Sequence, residues 1–412
     1  MQILFKKMIK KILIIAYACD PYRGSEHGVG WSWTQKLAQF YEIYVITRKD
    51  NMKSIEKEIK NSQIGIHFIY IDLPKALRFW KKGQRGLWIY YVIWQMFAFV
   101  KTIELHKKHR FDAFWHLTFG NLWIPPLIAL VNNNFIWGPV GGVDTIPFQL
   151  WKYLNITGKL KEFIRTSLIL SLKFNPLFCI VCTKTKLFLA RTPKTVEFLS
   201  KFNKGKVLEI SETGTITTPK PIIKNSALEK TIIYVGRLEY FKGLNVALTA
   251  LKHVKEKRPE LHWKFIIIGD GPEYRRLQKL AKKLNLVNQT TFTGFLPREE
   301  VFKYFENADI FIFPSFREGT SWALVEAMSY GVVPIVLDIG GNSLVVDEKC
   351  GIKIRIWKKM NLIDELTKSI IKLLEDDELR KNLSSGAKSK VQKELNWESK
   401  IAKVRAALDS LI

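Results

Sequence analysis

Two glutamates stand eight positions apart in the stretch SFREGTSWALVEAMSYG, residues 315 to 331. The stretch follows an apolar run and leads into a segment of helical period that ends at Gly331. Glu318 is therefore predicted in a loop and Glu326 about five residues into a helix, or about 7 Å along its axis. The helix N-terminus between the two carboxylates favours an anion, which the amides of residues 319 to 321 would bind. A phosphate there would have a sugar near Glu318 and a ribose near Glu326, so the spacing suits a nucleotide-sugar.

A second short stretch, YVGRLEYFKG, carries two cations between two glycines. Arg237 and Lys242 lie on a predicted loop, and Gly236 and Gly243 let its backbone turn and approach a ligand. An Arg fork and a Lys point charge on one loop suit a diphosphate. The alternative is that both are solvated surface charges.

The segments that would position these loops alternate between short apolar runs and stretches of helical period. Runs that are apolar on both faces and separated by helices predict a parallel, doubly wound α/β sheet. In the second half we predict strands at 231–236, 263–269, 290–295, 309–315 and 332–338. In the first half we predict them at 12–18, 42–47, 66–71, 112–117, 134–138 and 178–183.

A chain of 412 residues with 47% apolar content is too long for one ordinary core, so two Rossmann-like domains are expected. The boundary is predicted near the Thr- and Pro-rich stretch at 212–226. We assign residues 1–211 to the first domain and 212–395 to the second. The last segment, 396–412, is an amphipathic helix.

The charge is strongly positive and unevenly distributed. Lys and Arg outnumber Asp and Glu by 65 to 38, and residues 1–205 hold 31 basic against 12 acidic side chains, a net +19. Such a field predicts an anionic partner, with nucleic acid, phosphorylated substrates and an acidic membrane face all eligible. Two segments, 77–110 and 153–174, place aromatic or apolar residues among basic ones and suit a membrane surface.

The cysteines and the apolar segments bear on the compartment. Four cysteines in so long a chain predict a reducing compartment, the cytoplasm by default. Cys179 and Cys182 form a C-x-x-C within the apolar run LFCIVCT, which we interpret as a buried strand. The start of the chain resembles a signal peptide, but its short apolar run leads into a glycine-rich loop and predicts a buried first strand. The longest apolar stretch, 87–100, is too short to span a bilayer.

Four stretches occur in order in the second half: GRLEYFKG, IGDGPEYRRLQKLA, FTGFLPREEVFKYFENADIFIFPS and then E-x7-E. Together they resemble the second domain of family-four glycosyltransferases, which have the GT-B fold, two Rossmann-like domains facing a cleft. In the first half GSEHGVGW resembles that family's first glycine-rich loop, and WGPVGGVDTIP resembles a segment of one of its branches. FDAFWHLTF has His116 where the family often carries a histidine at a strand end.

The resemblance implies a role for each matching position. Arg237 and Lys242 would bind the donor diphosphate, Glu326 the ribose hydroxyls, and Glu318 the transferred sugar. The remaining donor-binding positions would be Gly24, Phe295, Leu296, Gly319, Thr320 and Ser321. Gly24 would let the first loop close on the phosphates, and Phe295 and Leu296 would lie near the base. His116 is either catalytic, with Glu318, or a satisfied core histidine.

The resemblance also implies a reaction. Family members retain anomeric configuration and need no metal or cofactor, and the nucleotide-sugar is a co-substrate. The implied acceptor is a glycan or a lipid-linked glycan used in cell-surface polysaccharide or lipopolysaccharide synthesis. The final helix would cross back onto the first domain. Thr320, Ser321 and Trp322 depart from the family's usual Glu-Gly-aromatic-Gly, which leaves the sugar open.

Two other functions stay open from the residues alone. One is another GT-B enzyme acting on a nucleotide-sugar, such as an epimerase, and the other is a basic nucleic-acid-binding protein, for which no known module is present. For the transferase we expect a cytoplasmic protein that is peripheral on the inner face of the cell membrane, with no nucleic acid as partner.

Overall fold

The computed structural model describes residues 10–62, 65–78, 80–81, 83, 85–202, 205–214 and 229–412. The first elements in chain order are β1 (Lys11–Ile15), α1 (Ser25–Leu37), β2 (Glu42–Arg48), α2 (Met52–Ser62), β3 (Ile66–Ile71), α3 (Leu87–His109), β4 (Ala113–His116), β5 (Phe135–Val140), α4 (Ile156–Ser171), α5 (Pro176–Lys184), β6 (Thr185–Ala190), α6 (Pro193–Ser200) and β7 (Lys206–Glu209). The later elements are β8 (Lys230–Val235), α7 (Leu244–Lys257), β9 (Trp263–Ile268), α8 (Tyr274–Lys283), β10 (Thr290–Gly294), α9 (Arg298–Asn307), β11 (Ile310–Phe313), α10 (Trp322–Ser329), β12 (Val333–Leu337), α11 (Asn342–Val345), β13 (Ile352–Ile354), α12 (Leu362–Glu375), α13 (Asp377–Glu394) and α14 (Trp397–Asp409).

The chain divides into two compact units, each with one sheet. The first unit comprises residues 1–143, 168–212 and 401–412, and the second comprises 144–167 and 213–400. The strand order is β3-β2-β1-β4-β5-β6-β7 in the first sheet and β10-β9-β8-β11-β12-β13 in the second. Every pairing is parallel. The predicted doubly wound α/β fold is confirmed in both units.

The strands form where the sequence is apolar on both faces. In β5 all six residues are buried, and in β12 all five are. Parallel strands with helices on both faces leave no wet side, which is why continuous Val, Ile and Phe runs are tolerated there. The order of each sheet reverses beside its first strand, between β1 and β4 in one and between β8 and β11 in the other. Ligands of open parallel sheets bind at such points, beyond the carboxyl ends of the strands.

The strand predicted at 178–183 is wrong, because these residues belong to helix α5. Pro176 occupies the first turn of this helix, and the Asn175 side chain accepts a hydrogen bond from the Phe178 amide at 3.2 Å. An Asn cap followed by Pro is a helix start, and it outweighs the apolar run that suggested a strand. Cys182 is buried on this helix, and the strand lies one element later, in β6.

Residues 144–167 pack with the second unit, whereas the sequence analysis put them in the first domain. The reason is that Ile146, Leu150 and Leu154 are buried in the second unit's hydrophobic core. Most of the boundary predicted at 212–226, residues 215–226, lies outside the described residues.

Candidate active site

The loops after β8 and β11 lie side by side, because these two strands are neighbours at the point where the second sheet reverses order. The loop after β8 ends at Gly243, whose φ is +71°. A Cβ on Gly243 would lie 2.2 Å from the carbonyl oxygen of Pro314 in the other loop. Only glycine fits both this backbone conformation and this approach, so the sequence brings the two predicted donor loops into contact.

Lys242 and Glu318 form an ion pair between the two loops. Both side chains are largely buried, 11% and 18% exposed respectively. The Lys242 ammonium also lies 5.0 Å from the centre of the Phe313 ring, and the Ser315 hydroxyl donates to Glu318 at 3.1 Å. Such partners hold the two charges in fixed positions with little solvent screening. The cation and the carboxylate predicted for diphosphate and sugar are thus brought together.

Arg237 stands on the same loop as Lys242 but in a different environment. Its side chain is 72% exposed, and its Nε lies 3.1 Å from a carboxylate oxygen of Glu239. The guanidinium is therefore free to meet a ligand from solvent. The same exposure also suits an ordinary surface charge, so its donor role stays a prediction.

Glu326 is the fifth residue of α10, as the helical spacing predicted. Its carboxylate pairs with Arg298 at the start of α9, with Nε to Oε1 at 2.8 Å. Burial raises the pKa of Glu326, and the neighbouring Arg298 guanidinium partly lowers it again. Arg298 also lies over the Trp322 ring, 5.3 Å from its centre. Arg298 is not among the residues predicted from the sequence, although its place four residues after β10 points to the carboxyl edge of the sheet.

The start of α10 is enclosed by a pair of glycines after β12. A Cβ on Gly341 would lie 2.6 Å from the Thr320 amide nitrogen, and one on Gly340 would lie 2.2 Å from the Glu318 carbonyl oxygen. Ser321 precedes the first helical residue and makes no side-chain cap. Gly319, Thr320 and Ser321 therefore stand where the sequence placed them, at a helix N-terminus beside Glu318.

The other predicted donor positions lie at loop edges. Phe295 directly follows β10 and is exposed, and Leu296 beside it is half-buried. Gly24 belongs to the first unit, where it precedes α1 with an ordinary φ of −77°. Nothing lies within 4 Å of the position that a Cβ would take on Gly24. The roles of these three residues stay predictions.

His116 ends β4 and is buried in the first unit, with 1% of its surface exposed. Its Nε2 lies 2.9 Å from the hydroxyl of Tyr91, and burial lowers the pKa of His116 to about 3. The imidazole is therefore neutral at ordinary pH. This environment suits a core histidine, which is one of the two alternatives that the sequence left open. The other alternative, a catalytic role, stays a prediction.

The sequence analysis missed a buried carboxylate that touches both donor loops. Glu162, on α4, is fully buried; its Oε1 accepts from the Tyr240 hydroxyl at 2.8 Å and lies 3.2 Å from the Arg317 guanidinium. Tyr240 precedes Lys242 by two positions, and Arg317 precedes Glu318. The guanidinium of Arg317 also lies over the Phe241 ring at 4.5 Å. Glu162 is the only acidic residue in 153–174, and that isolation was the signal.

The described residues hold neither a metal-binding cluster nor a single membrane-spanning helix. Within those residues, no three His, Cys, Asp or Glu side chains are placed so that they could hold a metal ion. No helix in the same part of the chain is by itself long and apolar enough to cross a membrane, although Ile156–Phe174 with Pro176–Lys184, bent by 65°, meets both criteria as a pair.

Comparison with known proteins defines the class. Residues 219–390 match the family described as Glycosyl transferases group 1. The glycosyltransferase MJ1059 of Methanocaldococcus jannaschii is 28% identical over 364 residues, which cover 77% of this chain and 84% of that protein. WcaL of Escherichia coli, named as a colanic acid biosynthesis glycosyltransferase, is 37% identical over 142 residues, or 32% of this chain and 34% of that one.

The fold likeness extends over the whole chain. The structure of sucrose-phosphate synthase from Thermosynechococcus elongatus has a TM-score of 0.68, covering 98% of this chain and 100% of that one at 16% identity. The protein is therefore an enzyme of the GT-B class, a glycosyltransferase. The match of residues 219–390 to the glycosyl transferases group 1 family falls on the part of the chain whose motifs suggested a glycosyltransferase, and the resemblance is confirmed there.

Proposed function

We propose that this enzyme moves a hexose from a nucleoside diphosphate-sugar to a hydroxyl of a glycan or glycolipid, with retention of configuration. The observation that carries the proposal is the Lys242–Glu318 pair, held between two adjacent loops where the second sheet reverses order. A diphosphate at this edge would draw the ammonium from the carboxylate. Glu318 would then be left to accept from the sugar hydroxyls.

The charge of each residue in the site suggests its role in binding the donor. Lys242 and Arg237 bind the diphosphate and stabilise the charge that develops on it as the glycosidic bond breaks. Glu318, with the amides of residues 319 to 321, orients the transferred sugar, and Glu326 binds the ribose. Phe295 and Leu296 lie beside the base. Two side-chain cations supply the counter-charge that a metal supplies in other transferases, so we propose a metal-independent reaction without a cofactor.

Retention follows from a front-face route. The leaving diphosphate, held by the two cations, takes the proton of the acceptor hydroxyl as the new bond forms on the side from which the old one departs. The likeness to WcaL supports an acceptor used in cell-surface polysaccharide synthesis. Nucleic acid is not part of the proposal.

Turnover tests this function directly. The purified chain is incubated with UDP-, GDP- and ADP-hexoses and a mixture of cell-surface glycans, and nucleoside diphosphate release is followed with and without EDTA. We expect one donor to turn over, unaffected by EDTA, and proton NMR of the product to show the donor's anomeric configuration. An inverted product would refute retention, and failure of all donors would refute the transfer.

A separate observation favours a membrane surface as the place of action. Helix α4 has a polar buried side, occupied by Glu162, while six of its large apolar side chains point outward. These exposed residues are Ile156, Leu160, Phe163, Ile164, Leu168 and Leu170. The two acidic residues of 144–184, Asp144 and Glu162, are buried, whereas Lys159 and Lys161 are exposed. An outward face that is apolar and cationic suits anionic headgroups.

We therefore propose a protein peripheral to the cytoplasmic face of the membrane. Cosedimentation with vesicles of anionic and neutral lipids should show binding to the anionic ones at low salt and release at high salt. The double variant Leu160→Ser and Phe163→Ser should bind less, whereas the matched exposed change Val287→Ser should not. Equal recovery with both kinds of vesicle, or with neither, would refute the proposal.

A further inference from the structure

The first unit has a pocket of about 320 Å³ at the carboxyl edge of its own sheet. Seven of its eight lining residues follow four neighbouring strands, β1, β4, β5 and β6, and so surround the point where this sheet reverses order, while Trp88 is at the start of α3, which follows β3. The lining residues are Glu26, Trp88, Phe119, Gly120, Asn121, Gly141, Gly142 and Arg191. The volume is in the range of small-ligand sites, and none of these residues belongs to the donor site proposed above.

One wall of the pocket is aromatic and held in an unusual conformation. Phe119 has a φ of +59°, which is rare for a bulky residue and marks a backbone held by its surroundings. Its amide donates to Glu26 Oε1 at 2.6 Å, and its ring contacts Trp88 at 5.8 Å between ring centres. Trp88 itself is 51% exposed, so one part of the indole faces the solvent side of the pocket.

The charges of the described residues that line the pocket disfavour an anionic ligand. Arg191, the cation among the described lining residues, is engaged by two carboxylates: NH1 lies 2.9 Å from Glu212 and NH2 lies 3.7 Å from Glu26. The Arg191 Nε donates to the Pro139 carbonyl at 2.9 Å. Two negative charges around one positive charge repel a phosphate or a carboxylate. The lining therefore favours a neutral ligand with hydroxyl groups. Glu26 can accept hydrogen bonds from such hydroxyls, and the Asn121 side-chain amide can also hydrogen-bond to them.

We propose that this pocket binds a neutral pyranose, the terminal sugar of the acceptor, with one apolar sugar face on Trp88 and hydroxyls at Glu26. The inference rests on the proposed glycosyl transfer, because it names the group that receives the hexose. It narrows the acceptor to one that ends in an uncharged sugar. A bare lipid phosphate is the competing occupant.

Saturation-transfer NMR on the full chain tests the pocket with the methyl glycosides of glucose, galactose and mannose, each at about 10 mM, the range for weak single-sugar sites. UDP, GDP and ADP are measured in the same samples as probes of the donor site. We expect transfer to the ring protons of at least one glycoside. Trp88→Ala should weaken that glycoside about tenfold, equal to about 1.4 kcal/mol.

The control is Trp357→Ala, because Trp357 lies in the second unit and is 48% exposed, close to the 51% of Trp88. It should leave glycoside binding unchanged, and thermal melts of both variants report folding. No transfer to any glycoside, equal transfer in Trp88→Ala, or stronger binding of glycerol phosphate would overturn the inference. Glycoside binding without any nucleotide binding would count against the donor proposal instead.

Discussion

The loops at the carboxyl edges of the two sheets have the same position in the fold but opposite chemistry. In the second unit they carry cations, Lys242 and Arg237, of which Lys242 is buried against a carboxylate. In the first unit they carry a carboxylate, Glu26 at the start of α1, and a guanidinium already paired with carboxylates, beside the exposed indole of Trp88 at the start of α3. Since loops tolerate such changes while the strands beneath them do not, one architecture can present a cationic site in one unit and a site without free positive charge in the other, as the two proposed ligands require.

Lys242→Ala should have the largest effect, because it removes the buried cation of the second unit. We expect kcat/KM for the donor to fall about 100-fold, the usual loss for one group that stabilises developing charge. Steady-state kinetics measures it. Lys264→Ala, at an exposed ion pair of the same unit, is the control and should retain wild-type kinetics. If Lys242→Ala lowered kcat/KM for the acceptor as much as for the donor, the assignment of the donor to the second unit and of the acceptor to the first would be wrong.

Substitution of Glu318 and of Glu326 should change different kinetic parameters. Glu326→Gln weakens a ribose contact made before and during reaction, so the donor KM should rise about tenfold with kcat retained. Glu318→Gln touches the reacting sugar, and kcat should fall by a similar factor. Initial rates over a range of donor concentrations separate the two. The same pattern in both variants would contradict the roles assigned to them.

Glu162→Gln should disturb the donor loops without touching a ligand. It leaves the largely buried Arg317 without its counter-charge, and breaking such a pair destabilises a protein by about 3 kcal/mol. The donor KM should rise severalfold, and the acceptor KM should stay constant because Trp88 and Glu26 belong to the other unit. Urea unfolding and kinetics measure the two effects. Glu197→Gln, in an exposed pair with Lys201, is the control and should be neutral in both.

The smallest effect is a shift in pH dependence. Burial raises the pKa of Glu326 and Arg298 opposes this, so Arg298→Ala should raise that pKa further. The ribose contact needs the carboxylate, so the donor KM should increase as pH falls through this pKa, and the variant should show the increase at higher pH. Because the pKa of Glu326 is raised in the folded state, its protonation contributes to the free energy of unfolding below the unfolded-state pKa. This contribution is lost as pH rises through the folded-state pKa. An unshifted KM profile would remove Glu326 from the donor site.

The sequence predicted the second unit better than the first, for a physical reason. The loops after β8 and β11 contain Lys242 and Glu318 within short motifs, so order along the chain almost determined their contact. Glu162 and Trp88 are on helices that tertiary packing brings to their sites. The spacing of residues along the sequence does not predict such long-range packing. The helix at 176–184 was missed because an apolar run outweighed the cap at Asn175. The sequence left His116 as either a catalytic or a core histidine, because burial depends on the residues packed around the strand end, and the structure buries it.

Nucleoside diphosphate binding by thermal shift tests the central claim most directly. UDP, GDP and ADP are each titrated into the wild-type chain, Lys242→Ala and Trp88→Ala. We expect one nucleotide, at 100 times its dissociation constant, to stabilise the wild type and Trp88→Ala by about 2.7 kcal/mol. Lys242→Ala should gain far less at the same concentration. Stabilisation by none of the three nucleotides, or an equal gain in Lys242→Ala, would contradict a donor site at the Lys242–Glu318 pair.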